Sequence, residues 1–101
     1  MPKEMEASIR TAYRTGDVVI GLSRVRKDLV LGKLKAVVYS SSLPHKRADE
    51  LENLAKLSEV PIRRASFTSV DLGHLCNKPF PIAVIGVKEF GQSDLGAIVK
   101  S

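Results

Sequence analysis

The sequence contains few residues whose types and spacing are typical of a catalytic centre. The run Gly21-Leu22-Ser23-Arg24-Val25 resembles a nucleophile elbow, but Val25 replaces the closing glycine that the strained turn needs. Ser23 is therefore interpreted as the N-cap of a helix. No glycine-rich phosphate loop follows a strand, and the later glycines lack the spacing of a dinucleotide fingerprint. The sequence thus predicts no nucleotide cofactor.

The histidines and the cysteine also fail to complete a reactive group. Asp71, His74 and Cys76 offer metal-ligand atoms, but only Asp71 and His74 share a face of a predicted helix, and no fourth ligand is evident. His45 follows a proline in a polar loop without an identifiable partner. We therefore expect no metal, no cofactor and no enzymatic activity. A small hydrolase that uses His45 or His74 is the alternative.

The basic residues are more informative, because many of them follow the predicted strands. If the first two strands are parallel, the loops at Gly21 and Ser41 lie on one edge of the sheet, where open α/β sheets bind ligands. Amide donors and positive partial charge at helix N-termini would favour phosphate there. A charged first turn can also be no more than a solvated surface. The basic residues concerned are Arg24, Arg26, Lys27, Lys46, Arg47 and Lys78.

An aromatic side chain accompanies these charges. Phe80 lies between Pro79 and Pro81, two residues after Lys78. In a monomer it is either buried in the core or exposed for stacking on an unpaired base. From the sequence alone both interpretations stay open, and the second one predicts a platform for RNA.

Composition supports a small globular protein that binds a polyanion. The chain has 101 residues, 44% of them hydrophobic and 27% charged, which indicates one domain over residues 1–101 with its own core. Sixteen Lys and Arg against 11 Asp and Glu give a formal charge of +5. Such a balance favours nucleic acid as a partner. The length excludes large enzymes with several substrates and a deep enclosed cavity.

Nothing in the sequence directs the chain to a membrane or out of the cell. The single cysteine, Cys76, cannot form an intramolecular disulfide, and no apolar run approaches the ~20 residues that span a bilayer. The start Met1-Pro2-Lys3-Glu4 lacks the apolar segment of a signal peptide. We expect a cytoplasmic protein that makes no membrane contact and is a monomer when free.

Helical and strand patterns alternate along the chain. The predicted helices cover residues 3–14, 23–31, 46–58 and 68–75, and the predicted strands cover residues 18–20, 36–39, 60–65 and 82–87. The first strand is expected to be buried on both faces, the third to lie at an edge and the fourth to be central. A turn follows at residues 91–94, and the last ten residues carry no clear pattern. This order predicts an α/β fold with helices on both faces of a sheet.

These segments together resemble the archaeal and eukaryotic ribosomal protein L-thirty family, within the superfamily of kink-turn RNA-binding proteins. The resemblance covers nearly the whole chain and depends on the order and spacing of several short motifs. The motifs are Thr15-Gly16 and the segments 18–21, 31–38, 50–58, 60–62, 69–73 and 78–80.

The resemblance implies a three-layer α/β/α sandwich around a four-stranded mixed sheet. It also implies a structural component of the large ribosomal subunit, which binds kinked internal-loop rRNA and contacts other large-subunit ribosomal proteins. The implied contact surface matches the one indicated by charge. Its residues are Gly21, Ser23, Arg24, Arg26, Lys27, Ser41, Ser42, Lys46, Arg47, Lys78, Pro79 and Phe80.

The sequence departs from the family at two of these positions. Ser23 stands where a basic residue is common, and Ser42 stands where an asparagine that pairs with a base edge is often found. A two-pronged amide contact is lost at Ser42, so phosphate affinity should survive better than base specificity. Two alternatives stay open: a kink-turn protein of another ribonucleoprotein particle, and a protein-interaction module that uses exposed Phe80 and Leu43.

Overall fold

In a computed structural model, residues 2–96 of the chain form alternating helices and strands. The prediction for the last ten residues falls partly outside these described residues. Within them, the expected turn at residues 91–94 is present. The elements in chain order are α1 (Pro2–Thr15), β1 (Asp17–Ile20), α2 (Leu22–Val30), β2 (Ala36–Tyr39), α3 (His45–Leu57), β3 (Ile62–Arg64), α4 (Ser69–Leu75) and β4 (Val84–Glu89).

The four strands form one mixed sheet in the order β1-β4-β2-β3. β4 is antiparallel to both of its neighbours, whereas β2 and β3 are parallel. β1 and β2 therefore run in the same direction, although β4 lies between them. As a result, the C-terminal ends of β1, β2 and β3 and the N-terminal end of β4 lie at the same end of the sheet.

Helices cover both faces of the sheet, because strand residues point alternately to opposite sides. On one face, Ile9 and Ala12 of α1 and Leu72 of α4 pack in a fully buried cluster with Val38 and Ile85. A second cluster on the other face is formed by α2 and α3 with the intervening strand residues. This arrangement confirms the predicted three-layer α/β/α sandwich with a four-stranded mixed sheet.

The structure confirms most predicted elements and corrects two of them. β4 is central and β3 lies at an edge, as expected. β1 is the opposite edge strand: Val19 is buried on one face, but Val18 and Ile20 are only half-buried against the other cluster, so the prediction of burial on both faces holds only in part. The N-cap of α2 is Gly21 rather than Ser23, which lies inside the first turn. No helix within the described residues is long and apolar enough to cross a membrane.

Candidate nucleic-acid interface

Three loop segments lie together at the end of the sheet where β1, β2 and β3 finish and β4 begins. They are residues 21–24 after β1, residues 40–47 after β2 and residues 78–83 before β4. We call these three segments the rim. Two backbone hydrogen bonds hold it in place. Gly21 N donates to Val84 O of β4 at 3.0 Å, and Ser40 N joins two of the segments by donating to Ala83 O at 2.8 Å.

Gly21 gives the rim an accessible stretch of backbone. Its φ of +103° lies in a region that residues with a Cβ rarely adopt. A Cβ built at this position would meet nothing within 4 Å, so the surrounding space is open. The carbonyl of Gly21 accepts a hydrogen bond from Val25 and begins α2. A ligand can therefore approach this peptide more closely than any side chain would allow.

The N-termini of α2 and α3 combine positive partial charge with basic side chains. Neither helix has an acidic residue in its first turn, although acidic residues are favourable there. Arg24 in α2 and Lys46 and Arg47 in α3 are exposed instead. Each such cation opposes the helix dipole, which costs ~0.3–1 kcal/mol when a charge near a terminus has the wrong sign. This placement does not stabilise the helices, and it makes both N-termini suited to an anion.

Not all of the predicted basic residues are equally close to the rim. Arg24 lies within it, and exposed Arg26 follows half a turn later. Lys27 is five residues beyond Leu22, or ~7.5 Å along the helix axis, and belongs to the last turn of α2. The structure therefore groups Arg24 with the rim and leaves Lys27 farther away.

The serines that follow β2 differ in what they can offer a ligand. Ser40 is fully buried, although it begins a polar loop. The Ser41 hydroxyl donates to Phe67 O at 3.0 Å, so its proton is already engaged. The Ser42 hydroxyl accepts from Ser69 N at 3.3 Å and lies at the surface, where its own proton can be donated. Ser41 thus holds the loop, and Ser42 faces solvent, as exposed Ser23 also does.

The loop before β4 forms one wall of a cleft on the rim. Phe80 is 51% exposed, which answers the question that the sequence left open: this ring is not part of the core. Exposed Pro79 precedes it, and half-buried Lys78 lies beside it. The cleft has a volume of about 470 Å³. It is lined by Ile20, Gly21, Leu22, Arg24, Lys78, Phe80, Pro81, Ile82 and Ala83. Apolar walls with two cations suit an unstacked base and its phosphate.

Sequence reasoning did not connect β3 with the rim. Arg64 is the last residue of β3 and its guanidinium lies 3.5 Å from the carbonyl oxygen of Ser41. The signal was present in the short, buried strand β2 followed by a helix and a second strand, because that order gives a parallel pair. A parallel β3 must end at the same edge as β2, which adds another cation beside the rim.

The alternatives based on the histidines and on Leu43 receive no geometric support. The imidazoles of His45 and His74 are exposed, and neither is hydrogen-bonded to another side chain within residues 5–96. Asp71 belongs to the capping box of α4 with Thr68, and buried Cys76 does not join it in any cluster of three metal-ligand side chains within the same residues.

Burial raises the pKa of the Cys76 thiol to about 11, only partly offset by Lys78, so it is protonated at neutral pH. Leu43 is half-buried against the core on the α2 and α3 face, which corrects the idea that it is an exposed contact.

Curated relatives cover nearly the whole chain. The large ribosomal subunit protein eL30 of Methanopyrus kandleri is 40% identical over 97% of this chain and 90% of its own length. The protein of the same name from Methanothermobacter thermautotrophicus is 38% identical over 91% and 94%, respectively. That from Sulfolobus acidocaldarius is 35% identical over 99% and 96%.

A solved structure has the same fold. It is described as a protein with unknown function from Bacillus halodurans C, and it matches with a TM-score of 0.81 over 100% of both chains at 22% identity. At that identity the likeness establishes the fold alone. The profile of the family described as Ribosomal protein L7Ae/L30e/S12e/Gadd45 matches residues 3–96. The chain therefore belongs to the Ribosomal protein L7Ae/L30e/S12e/Gadd45 family.

Proposed function

We propose that this protein is a structural component of the large ribosomal subunit and binds a kinked internal loop of rRNA through its rim. The observation that carries the proposal is the cleft between α2 and the loop before β4, where Arg24, Lys78 and exposed Phe80 surround one space of about 470 Å³. Relatives that span nearly the same length are named as large-subunit proteins. In this role the chain acts as one RNA-binding domain, without catalysis, in the cytoplasmic ribosome alongside other large-subunit proteins.

The rim would contact both the phosphate backbone and the bases of the RNA, with different residues. Arg24, Arg26, Lys46, Arg47 and Lys78 would hold phosphates, which fix the register of the RNA but carry little sequence information. Lys27 is more distant and would reach only phosphate at the periphery.

The remaining contacts would read the shape of the RNA. The open backbone at Gly21 admits a close sugar–phosphate approach. Phe80 would support a base that the kink has removed from its stack, with Pro79 beside it, since unstacked bases commonly stack on aromatic rings. Ser23 and Ser42 would donate hydroxyl hydrogen bonds to sugar or base. A sharply bent internal loop supplies both features, namely closely spaced phosphates and a splayed base, whereas a straight duplex supplies only the first.

The test compares two RNAs of equal length and charge, one that contains a kink-turn internal loop and one that forms a straight duplex. Binding is measured over a salt series with the full chain. The proposal predicts tight binding to the kinked RNA and weak, steeply salt-dependent binding to the duplex. Equal affinities at every salt concentration would show that only the net charge of +5 is recognised, and would overturn the proposal.

A further inference from the structure

A second cationic groove lies outside the rim, between α1 and α4. It has a volume of about 470 Å³ and is lined by Arg10, Tyr13, Arg14, His74, Leu75 and Asn77. None of the residues that line it is acidic. Within residues 5–96, neither Arg10 nor Arg14 takes part in an ion pair. The groove therefore presents positive charge that the fold itself does not neutralise.

Folding does not account for both arginines. Arg14 in the last turn of α1 complements the helix dipole. Arg10 lies one turn earlier on the same side. Its repulsion from Arg14 and its attraction to Glu6, one further turn back, are each worth ~0.2–0.5 kcal/mol at this i, i+4 spacing, so local pairing gives no net gain that accounts for both arginines. The two positions are separated by ~6 Å along the axis.

The groove continues into the rim through Lys78. A neighbouring depression of about 380 Å³ is lined by His74, Asn77, Lys78 and Pro79, so it shares two residues with the groove. Lys78 also lines the cleft beside Phe80. Its Nζ lies 5.8 Å from the centroid of the Tyr13 ring, a cation–π distance that joins α1 to the rim. A bound chain can thus pass from the cleft to the groove along a continuous surface.

We propose that the groove between α1 and α4 holds the phosphates of a single RNA strand that leaves the kinked site, with Tyr13 and Lys78 at the junction. This inference rests on the proposed function, because it takes the strand to be continuous with RNA bound at the rim. An acidic protein segment is the competing occupant. The continuity of the groove with the rim through Lys78 favours RNA.

The experiment uses two kinked RNAs that differ only in an eight-nucleotide single-stranded extension, placed in turn at each end. The wild-type protein should bind one of the extended RNAs more tightly than the short one. The double variant Arg10→Ala/Arg14→Ala should lose this gain, with a salt slope lower by about 1.4 for two contacts to a single strand and an affinity loss on the order of tenfold near 0.1 M salt. Its affinity for the short RNA should not change.

A matched variant, Lys33→Ala/Lys56→Ala, removes two exposed cations near the C-terminal ends of α2 and α3, at the opposite end of the sheet from the rim. It should bind both RNAs as the wild type does. Both double variants should unfold within a few degrees of the wild type, since all four side chains are exposed.

The outcomes separate the two proposals. If the short RNA fails to bind, the rim is not an RNA site and the proposed function is wrong. If the short RNA binds but neither extension adds affinity, the groove inference alone is overturned. Poly-L-glutamate serves as the acidic probe: binding that is lost in the Arg10→Ala/Arg14→Ala protein, with no effect of RNA extension, would assign the groove to an acidic protein instead.

Discussion

Gly73, in the middle of α4, packs directly against the carbonyl group of Phe80. A Cβ at Gly73 would lie 3.1 Å from the Phe80 carbonyl carbon and would overlap its oxygen. The carbonyl of Gly73 also accepts a hydrogen bond of 2.9 Å from Lys78 N. The helix thus packs against the loop that contains Lys78 and Phe80. The position of the proposed base-stacking ring therefore depends on the absence of a Cβ at Gly73.

We expect Gly73→Ala to weaken both folding and RNA binding. Alanine would favour an exposed helix by ~0.8–1 kcal/mol over glycine. Here the overlap with backbone is expected to outweigh that gain and leave a net loss of ~1–3 kcal/mol. Urea unfolding and titration with the kinked RNA measure the two effects. Val70→Ala, at an exposed position of α4, is the control. A Gly73→Ala protein that is more stable and binds normally would refute the close packing.

Arg24→Ala should reduce the electrostatic part of binding. Loss of one phosphate contact lowers the slope of log K against log salt by ~0.9 and weakens binding to kinked and straight RNA alike. The variant should fold as the wild type does, because Arg24 is exposed. Lys33→Ala provides the charge-matched control. An unchanged slope with Arg24→Ala would show that this guanidinium does not contact phosphate.

Phe80→Ala should weaken RNA binding without changing its salt dependence. Removal of a stacked ring costs ~1–3 kcal/mol per base, but it removes no charge, so affinity for kinked RNA should fall while the salt slope stays constant. Phe80→Tyr keeps the aromatic face and should restore binding. Affinity for a straight duplex should not change in either variant. If Phe80→Ala binds kinked RNA normally, the exposed ring has another partner.

Much of the fold follows from local patterns in the sequence. The strands and the intervening helices can be recognised in the sequence, because short apolar runs indicate buried strands whereas apolar residues at a helical period indicate helices. Thr68 and Asp71 have the spacing of a capping box, and they form one at the start of α4. The error at Ser23 has a physical origin: serine is a favourable N-cap, but Gly21 has the φ of +103° that the turn requires, and the helix begins two residues earlier than serine would allow.

Features that depend on contacts between distant segments could not be predicted from the sequence. The edge position of β1 depends on the insertion of β4 between β1 and β2, and no local pattern encodes strand order. The exposure of Phe80 depends on contacts between α4 and the following loop. Similarly, Arg10 and Arg14 resemble an ordinary solvated helix face until α4 is placed beside them. Residue types therefore predicted the rim, whereas the second groove required the packing of distant helices.

The Cys76 thiol should be almost inert in the folded protein. It is fully buried, and burial raises its pKa to about 11 from 9.0, so little thiolate forms at pH 8. Reaction with an aromatic disulfide reagent should be slow under native conditions and fast in concentrated urea. The labelling rate at increasing urea concentration should follow unfolding. Rapid labelling of one thiol per chain in native buffer would contradict the buried position.

Tyr39, at the end of β2, donates a hydrogen bond from its hydroxyl to the Glu52 carboxylate of α3. Burial, followed by this bond to Glu52, raises the pKa of Tyr39 to about 12 from 10.0. The folded state therefore favours the protonated phenol. Its contribution to stability is fully present below pH 10, the value for the unfolded chain, and is lost as the pH rises from about 10 towards about 12.

Comparison with Tyr39→Phe isolates this contribution, because the two proteins differ only in the phenol hydroxyl. At pH 8 the variant should be less stable by ~1.5 kcal/mol, since it loses a hydrogen bond to a charged acceptor. Between pH 10 and pH 11 the wild type must deprotonate Tyr39 on unfolding, so its advantage should shrink. Urea unfolding at pH 8, 10 and 11 measures the difference. A constant difference across this range would mean that the phenol is not held in its protonated form by Glu52 and the surrounding core.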